Sequence, residues 1–282
     1  MGWINSSRLT DNNQNKSRNN FLSLLNTSRS LIAAFAVTVF PGKQVEAQSE
    51  HPLKFLSKQC NEYAIEMHLD PRPFQDFVGT EFSLALEEGK ARVVIVVQDC
   101  SQYWIDGEDL GPTQDIHVWV SIHGLEDIRP VVGAERTLPT KTWFTLFLGS
   151  SNPRAREAKM AAGTTVAPID SVFLDSPGPQ RGGRLFMGKN LSYTWHLLSL
   201  AAPLVRLVGL NHDVYTRDSA GNVVLNRIQA LMHVSAGRSQ GILEVVGETD
   251  ALPLISPDTY PVSVSTYFPM WSRATLGLSP SL

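Results

Sequence analysis

Residues 111–122 read Gly111-Pro112-Thr113-Gln114-Asp115-Ile116-His117-Val118-Trp119-Val120-Ser121-Ile122. From Ile116 the pattern alternates. Ile116, Val118, Val120 and Ile122 fall on one face of a strand, and His117, Trp119 and Ser121 fall on the other. Asp115 stands beside His117 and Trp119 at the start of that second face. The Gly111-Pro112 pair supplies the turn before it.

Working outward, Ala91–Val97 is a β-branched run that suits a buried strand. Thr142–Leu148 alternates aromatic and small residues, and Arg184–Trp195, Val223–Val234, Ile242–Val246 and Val262–Phe268 read as further strands. Turn residues separate them: Asp106-Gly107, Ser176-Pro177-Gly178-Pro179, and Ser219-Ala220-Gly221-Asn222, the last reading as a hairpin. Two helices are expected. Asn152 is an N-cap and Pro153 a first-turn residue for Arg154–Ala162, with Gly163 as the stop. A second, Trp195–Val208, carries Leu197, Leu198, Ala201, Ala202 and Val205 on one stripe, with a kink at Pro203. Many strands and few helices give a mainly β, α+β fold: an antiparallel β-barrel-like or curled sheet with a few short helices.

The first fifty residues have a different character. Arg8, Lys16, Arg18 and Arg29 precede a short apolar run, Leu31–Phe40, followed by Pro41-Gly42 and Val45-Glu46-Ala47-Gln48. A basic lead, about ten apolar residues and a small residue near a cut point describe a secretory signal peptide. The run is shorter than the roughly 20 apolar residues of a membrane span. The expected organisation is therefore a signal peptide and leader over 1–47 and a single β-rich domain over 48–282, secreted or periplasmic. Such a domain is long enough to bury a core without metals. The leader holds Arg8, Lys16, Arg18, Arg29 and Lys43 against Asp11 and Glu46, so the rest is more acidic than the whole chain's net −3. A nucleic-acid partner, which needs a clustered basic surface, is not expected. Nor is a membrane span after signal removal, since the longest later run, Leu197–Val205, contains Pro203. Oligomerisation is left open. Cys60 and Cys100 are a disulfide candidate in an oxidising compartment, closing a loop of roughly 40 residues for roughly 3–4 kcal/mol in the chain-entropy account; two buried thiols are the other reading.

Several residues invite chemistry. Gly237-Arg238-Ser239-Gln240-Gly241 fits the Gly-x-Ser-x-Gly elbow of serine hydrolases, which needs a helix after the serine and a histidine later in the chain. The last histidine, His233, precedes Ser239, and a Gly-rich turn between two strands explains the match more simply. His117 and His123, six residues apart on one strand face, stand roughly 20 Å apart and cannot share an ion. No metal site is expected, and His212-Asp213 reads as a loop pair. Asp99, Asp106, Glu108, Asp109 and Asp115 crowd one segment, either as a solvated loop or with Asp115 over a ligand. Lysine is scarce after the leader. Lys159 shares its helix with Arg154, Arg156 and Glu157, and neighbouring positive charge with burial would leave its amine nucleophilic; the plainer reading is an exposed helix lysine. Lys189 is a second candidate.

The order of segments resembles the acetoacetate decarboxylase superfamily over most of residues 50–278. Tyr63-Ala64-Ile65-Glu66-Met67 and Leu69-Asp70-Pro71 are similar to its first strand and the Asp/Pro-rich stretch after it. Ala91–Val97 stands where a hydrophobic strand follows, and Gly111–Val118 stands where a Gly-led element with an acidic residue enters a strand. Phe144–Leu148 then leads to Arg156-Glu157-Ala158-Lys159, and Leu252-Pro253-Leu254 with Val262–Phe268 echoes the close. Lys159 stands alone where the family pairs two lysines after a proline, and either Gln114 or Asp115 takes the place of the strand carboxylate. The well-known decarboxylases are also cytoplasmic.

The resemblance implies a β-barrel-like fold with an internal apolar cavity, and a cavity lysine that forms an imine with a β-keto acid. Two functions follow. The first is a decarboxylase-like lyase acting on a small oxo acid or related carbonyl compound, with Lys159 as nucleophile, Asp115 or Glu157 as charge partner and no cofactor. The second is a non-catalytic binder of a small apolar or aromatic ligand. Its walls would be Trp104, Trp119, Trp143, Phe147 and Tyr193.

Overall fold

The computed structural model describes residues 53–124, 127–161, 163–169, 171–174, 182–187, 191–197, 204–218, 220–247 and 254–279. The leader and Lys189 lie outside these residues. The elements in chain order are β1 (Leu53–Leu69), α1 (Pro71–Val78), β2 (Leu86–Glu87), β3 (Lys90–Ile105), β4 (Glu108–Asp109), β5 (Thr113–Ser121), β6 (Arg136–Thr137) and β7 (Lys141–Ser150). There follow α2 (Pro153–Ala161), β8 (Ala167–Pro168), β9 (Ser171–Leu174), β10 (Gly182–Met187), β11 (Leu191–Leu197), β12 (Leu204–Arg217), β13 (Val223–Val246) and β14 (Asp258–Ser279).

The strands form one sheet in the order β6-β12-β7-β5-β3-β1-β14-β13-β11-β10-β9. Strand β12 also pairs with β13, so hydrogen bonding runs continuously through β12, β7, β5, β3, β1, β14 and β13 and returns to β12. The mainly β, α+β expectation holds, with two short helices among the described residues. The antiparallel barrel-like or curled sheet holds only in part, because the sheet is mixed. Strand β12 meets β6 and β7 in parallel, β7 meets β8 in parallel, and β13 and β14 run on past β12, where β13 takes on β11, β10 and β9 as a second wing.

The alternation read in β5 separates two environments. Tyr63, Ile65 and Met67 of β1, Val93, Ile95 and Val97 of β3, and Ile116, Val118 and Val120 of β5 form one dry core. Phe74 and Val78 of α1, Leu243 and Val245 of β13, and Val262 and Val264 of β14 join it. Helix α1 forms from the Asp/Pro-rich stretch after β1 and is capped by Asp70, whose Oδ1 accepts from Arg72 N. The opposite face of the same strands looks into a cavity of about 450 Å³, bounded on its far side by β12, β13 and β14.

Three expectations need correction. Trp195–Val208 is not a helix: residues through Leu197 end β11, and those from Leu204 begin β12, which pairs along β13. Leu204, Val205, Leu207 and Val208 supply strand-forming residues there, and a periodic stripe in a short apolar run does not separate strand from helix. Arg184–Trp195 is not one strand but the antiparallel pair β10 and β11. Finally, Val223–Val246 is a single strand, so Gly237–Gly241 is neither a turn nor an elbow. Its glycines fall where β13 changes partner, from Leu204 opposite Ala236 to Leu197 opposite Gly241, a place where strand glycine permits a bend.

Candidate functional site

Helix α2 is tied to the start of β5 before it reaches the cavity. Asn152 Oδ1 accepts from the backbone N–H groups of Arg154 and Ala155, and its Nδ2 donates to Leu110 O and Thr113 Oγ1. The cap read from sequence is therefore also an anchor. Ala155 and Lys159, four residues apart and so on one helix face, are the buried positions of α2. Ala155 sits fully buried against Cys60, Cys100 and Tyr103. The two cysteines are opposed across β1 and β3 and form the disulfide. Close packing of a small residue at Ala155 carries Lys159, one turn later, into the cavity wall.

There Lys159 Nζ donates to Asp115 Oδ2 at 2.6 Å, with side-chain exposures of 6% and 2%. The ring of Tyr103 lies 5.6 Å from the amine. Burial, the largest single influence, would raise the Asp115 carboxyl, but the Lys159 charge and hydrogen bond together with smaller contributions outweigh it and hold the group below the usual aspartate range. Burial, with the Asp115 charge, drives the Tyr103 hydroxyl well above the usual tyrosine range. Among the described residues, no hydrogen bond of good geometry reaches Asp115 Oδ1.

Asp115 belongs to a polar row crossing the sheet. It is opposed to Gln98 of β3, which is opposed to Glu62 of β1. Gln98 Nε2 donates to Glu62 Oε2 at 2.9 Å. Burial pushes the Glu62 carboxyl up to about 7, against the opposing pull of that hydrogen bond. Further along, Arg92 bonds Glu66 at 2.5 Å and lies 5.3 Å from the Trp143 ring. The other wall is aromatic. Trp119 is 5.1 Å from His117, 6.0 Å from Trp143 and 5.8 Å from His212, centroid to centroid. Burial first, and nearby positive charge second, hold both imidazoles down to about 4, so both are neutral near pH 7. Trp143 Nε1 donates to His212 Nδ1 at 3.1 Å, which leaves the His212 proton on Nε2.

The structure brings Lys159, Trp119 and Trp143 together on this cavity, with Asp115 bonded to the Lys159 amine. Other sequence candidates lie elsewhere. Glu157 is exposed on the solvent side of α2. The arginines expected beside Lys159 also turn away, Arg154 to Glu108 and Arg156 to Ser150 O, so the amine meets a carboxylate rather than a cation. Phe147 is in the dry core, not on the cavity. A register shift between Val118 and Trp119 pairs Phe147 with Val118 and Thr145 with Trp119. That extra residue in β7 is a bulge, and it turns Leu148 inward in place of Phe147. Trp104 lies under Lys58 beside a separate surface groove. Gln59, at φ 51°, stands where the inward positions of β1 change from Glu62, Ala64 and Glu66 to Ser57 and Phe55. The Tyr193 side chain lies outside the described ones.

The sequence reading missed Glu62, Gln98, Arg92 and Tyr103 as site residues and took His212 for a loop. Glu62, Ala64 and Glu66 alternate with buried Tyr63, Ile65 and Met67, so period two was a usable signal for Glu62. For His212 the mistaken helix removed it. Among the described residues, Glu66, His68 and Glu87 bring three ligand atoms within 4.8 Å, but Arg92 already pairs with both glutamates.

No known protein family and no curated protein sequence matches the chain. Solved structures do. The enduracididine biosynthesis enzyme MppR complexed with pyruvate aligns with a TM-score of 0.51 at 11% identity, over 84% of this chain and 93% of that one. The same enzyme complexed with the condensation product of pyruvate and imidazole 4-carboxaldehyde aligns at 0.50 and 11%, over 82% and 89%. An acetoacetate decarboxylase-like enzyme from Sphingomonas wittichii RW1 aligns at 0.50 and 11%, over 83% and 95%. The likeness is one of fold: this chain has the fold of acetoacetate decarboxylase-like enzymes.

Proposed function

We propose that the protein is a lyase-type enzyme that binds a small oxo acid or related carbonyl compound in the cavity and forms an imine at Lys159. The observation that carries this reading is a lysine delivered to a cavity wall by a capped helix and hydrogen-bonded there to one buried carboxylate. Asp115 Oδ2 accepts from the amine and orients it at the cavity wall, and the ammonium proton passes to solvent before attack. The freed amine adds to the carbonyl carbon, and the carbonyl oxygen leaves as water. With a β-keto acid, the bond to the carboxylate then breaks, carbon dioxide leaves and the electron pair passes into the imine. The neutral imidazole of His212, with its proton on Nε2, can donate to a substrate oxygen without adding charge. The chemistry needs no bound cofactor.

The aromatic wall of Trp119, Trp143 and His212 supports the second reading, a carrier of a small apolar or aromatic ligand. Export after removal of residues 1–47 remains part of the proposal. It is supported by the Cys60–Cys100 disulfide, a bond that persists in oxidising compartments. No described helix is long and apolar enough to cross a membrane. Borohydride added with pyruvate separates the two functions. The enzyme reading expects the intact protein to gain one reduced adduct, and Lys159→Met to gain none while keeping its fold by circular dichroism. Adduct formation undiminished in Lys159→Met would overturn Lys159 as the nucleophile; ligand binding with no adduct in the wild type would favour the carrier.

A further inference from the structure

We propose that Glu62 is the group that takes a proton from, and returns it to, the substrate carbon next to the Lys159 imine, and that Gln98 positions it. The inference rests on the reading of Lys159 as the imine-forming amine. The geometry begins with the row across the sheet. Glu62 is opposed to Gln98, and Gln98 to Asp115, which holds Lys159. Two strand spacings separate Glu62 from Asp115, roughly 10 Å of backbone. Glu62 and Lys159 line the same cavity, and Asp115 holds the Lys159 amine, so a three-carbon ketone bound at Lys159 would extend along the row toward the glutamate.

Other ionisable groups line the cavity with it. Asp115 Oδ2 holds the Lys159 amine, which lies over the Tyr103 ring, Glu66 holds Arg92, His117 and His212 pack in the aromatic wall, and Lys141 is a cation rather than a base. Glu62, by contrast, has an amide as its partner. An amide fixes the carboxyl without supplying a charge that would lock it in the ionised form. Burial places its titration near neutrality, where one group can serve as both base and acid.

The step balances within the cavity. In the iminium the carbon–hydrogen bond breaks, its electron pair forms the carbon–carbon double bond of the enamine, and the iminium nitrogen recovers a lone pair. The proton goes to a Glu62 carboxylate oxygen. The reverse step returns it, and an enamine left after loss of carbon dioxide is protonated by the same acid.

The test is exchange of the methyl protons of pyruvate in heavy water, followed by proton NMR, beside borohydride trapping on the same samples. Wild type is expected to trap and to exchange. Glu62→Gln is expected still to form the trapped adduct, while exchange per trapped adduct falls by about a hundredfold, the lower bound for loss of a general base. Gln98→Leu removes the hydrogen bond that lowers Glu62, so the rise of exchange with pH should move to higher pH. Exchange at the wild-type rate in Glu62→Gln, or an unmoved pH profile in Gln98→Leu, with trapping intact, overturns the role of Glu62 alone. Absence of trapping in the wild type overturns the Lys159 reading and this inference with it.

Discussion

The two faces of β1, β3 and β5 differ more than any two separate elements of the molecule. On one face Ile65, Ile95 and Ile116 are nearly fully buried and packed by α1 and the far halves of β13 and β14. On the other, the alternate residues Glu62, Glu66, Arg92, Gln98, His117 and Trp119 line a hollow. The strand ladder is common to both faces, so the backbone does not make the difference. It lies in what opposes each face. The first is met by a helix and strands that fill it. The second is met by β12, β13 and β14 of the same circuit, which stand off across the cavity. Stability is concentrated on the filled face, and the groups that are costly to bury are paired on the hollow one: Lys159 with Asp115, Arg92 with Glu66, Glu62 with Gln98.

Adjacent residues of β3 give the largest test of this contrast. Ile95→Ala removes a side chain that is 1% exposed and packed all round, and should cost about 2–5 kcal/mol in urea denaturation. Val96→Ala, one residue on, trims the cavity wall and should cost about 1 kcal/mol or less, because the space it vacates joins one already present. Equal losses would mean that the hollow is as tightly filled as the core.

A smaller effect comes from the titrating groups of the hollow face. His117 and His212 titrate near 4 in the folded protein against an ordinary 6.5, and Glu62 near 7 against an ordinary 4.5. The histidines therefore contribute stability that is present above pH 6.5 and is lost as pH falls toward 4. Glu62 has the opposite sign: its contribution is present below pH 4.5 and is lost as pH rises through 7. Between pH 4.5 and 6.5 the unfolded chain binds two imidazole protons that the fold excludes, and the fold keeps one carboxyl proton that the unfolded chain releases. The net of one proton makes stability rise with pH by about 1.4 kcal/mol per unit at most. Glu62→Gln removes the opposing contribution, so its slope should be steeper than the wild type's when urea midpoints are compared at pH 5 and pH 6.5. A shallower slope in the variant would contradict the placement of Glu62.

Much of this was legible where local pattern and final structure coincide. The alternation of Ile116–Ile122, the Asn152 cap of α2 and the Ser219–Asn222 hairpin all depend on neighbours within a few residues, and all three are found. What misled was set by distant partners. Strict alternation pointed Phe147 inward, and only the bulge opposite Val118 and Trp119 turns it away. The stripe from Leu197 to Val205 fits a helix until β13 is there to pair with Leu204 and its successors. Glycines that mark turns elsewhere lie inside β13, where its partner changes from β12 to β11. For the site, Lys159 and Asp115 are 44 residues apart in sequence, and their contact is produced by α2 lying across the end of β5, a relation no local pattern contains. The Glu62–Gln98 pair is likewise a consequence of register between β1 and β3.

The most direct test of the account is to map the adduct after borohydride reduction of the wild-type protein with pyruvate, by mass spectrometry of a proteolytic digest. The account predicts one modified peptide, with the added mass on Lys159, and no comparable labelling of Lys54, Lys58, Lys90, Lys141 or Lys189. An adduct carried by any of those lysines while Lys159 stays unmodified would contradict it.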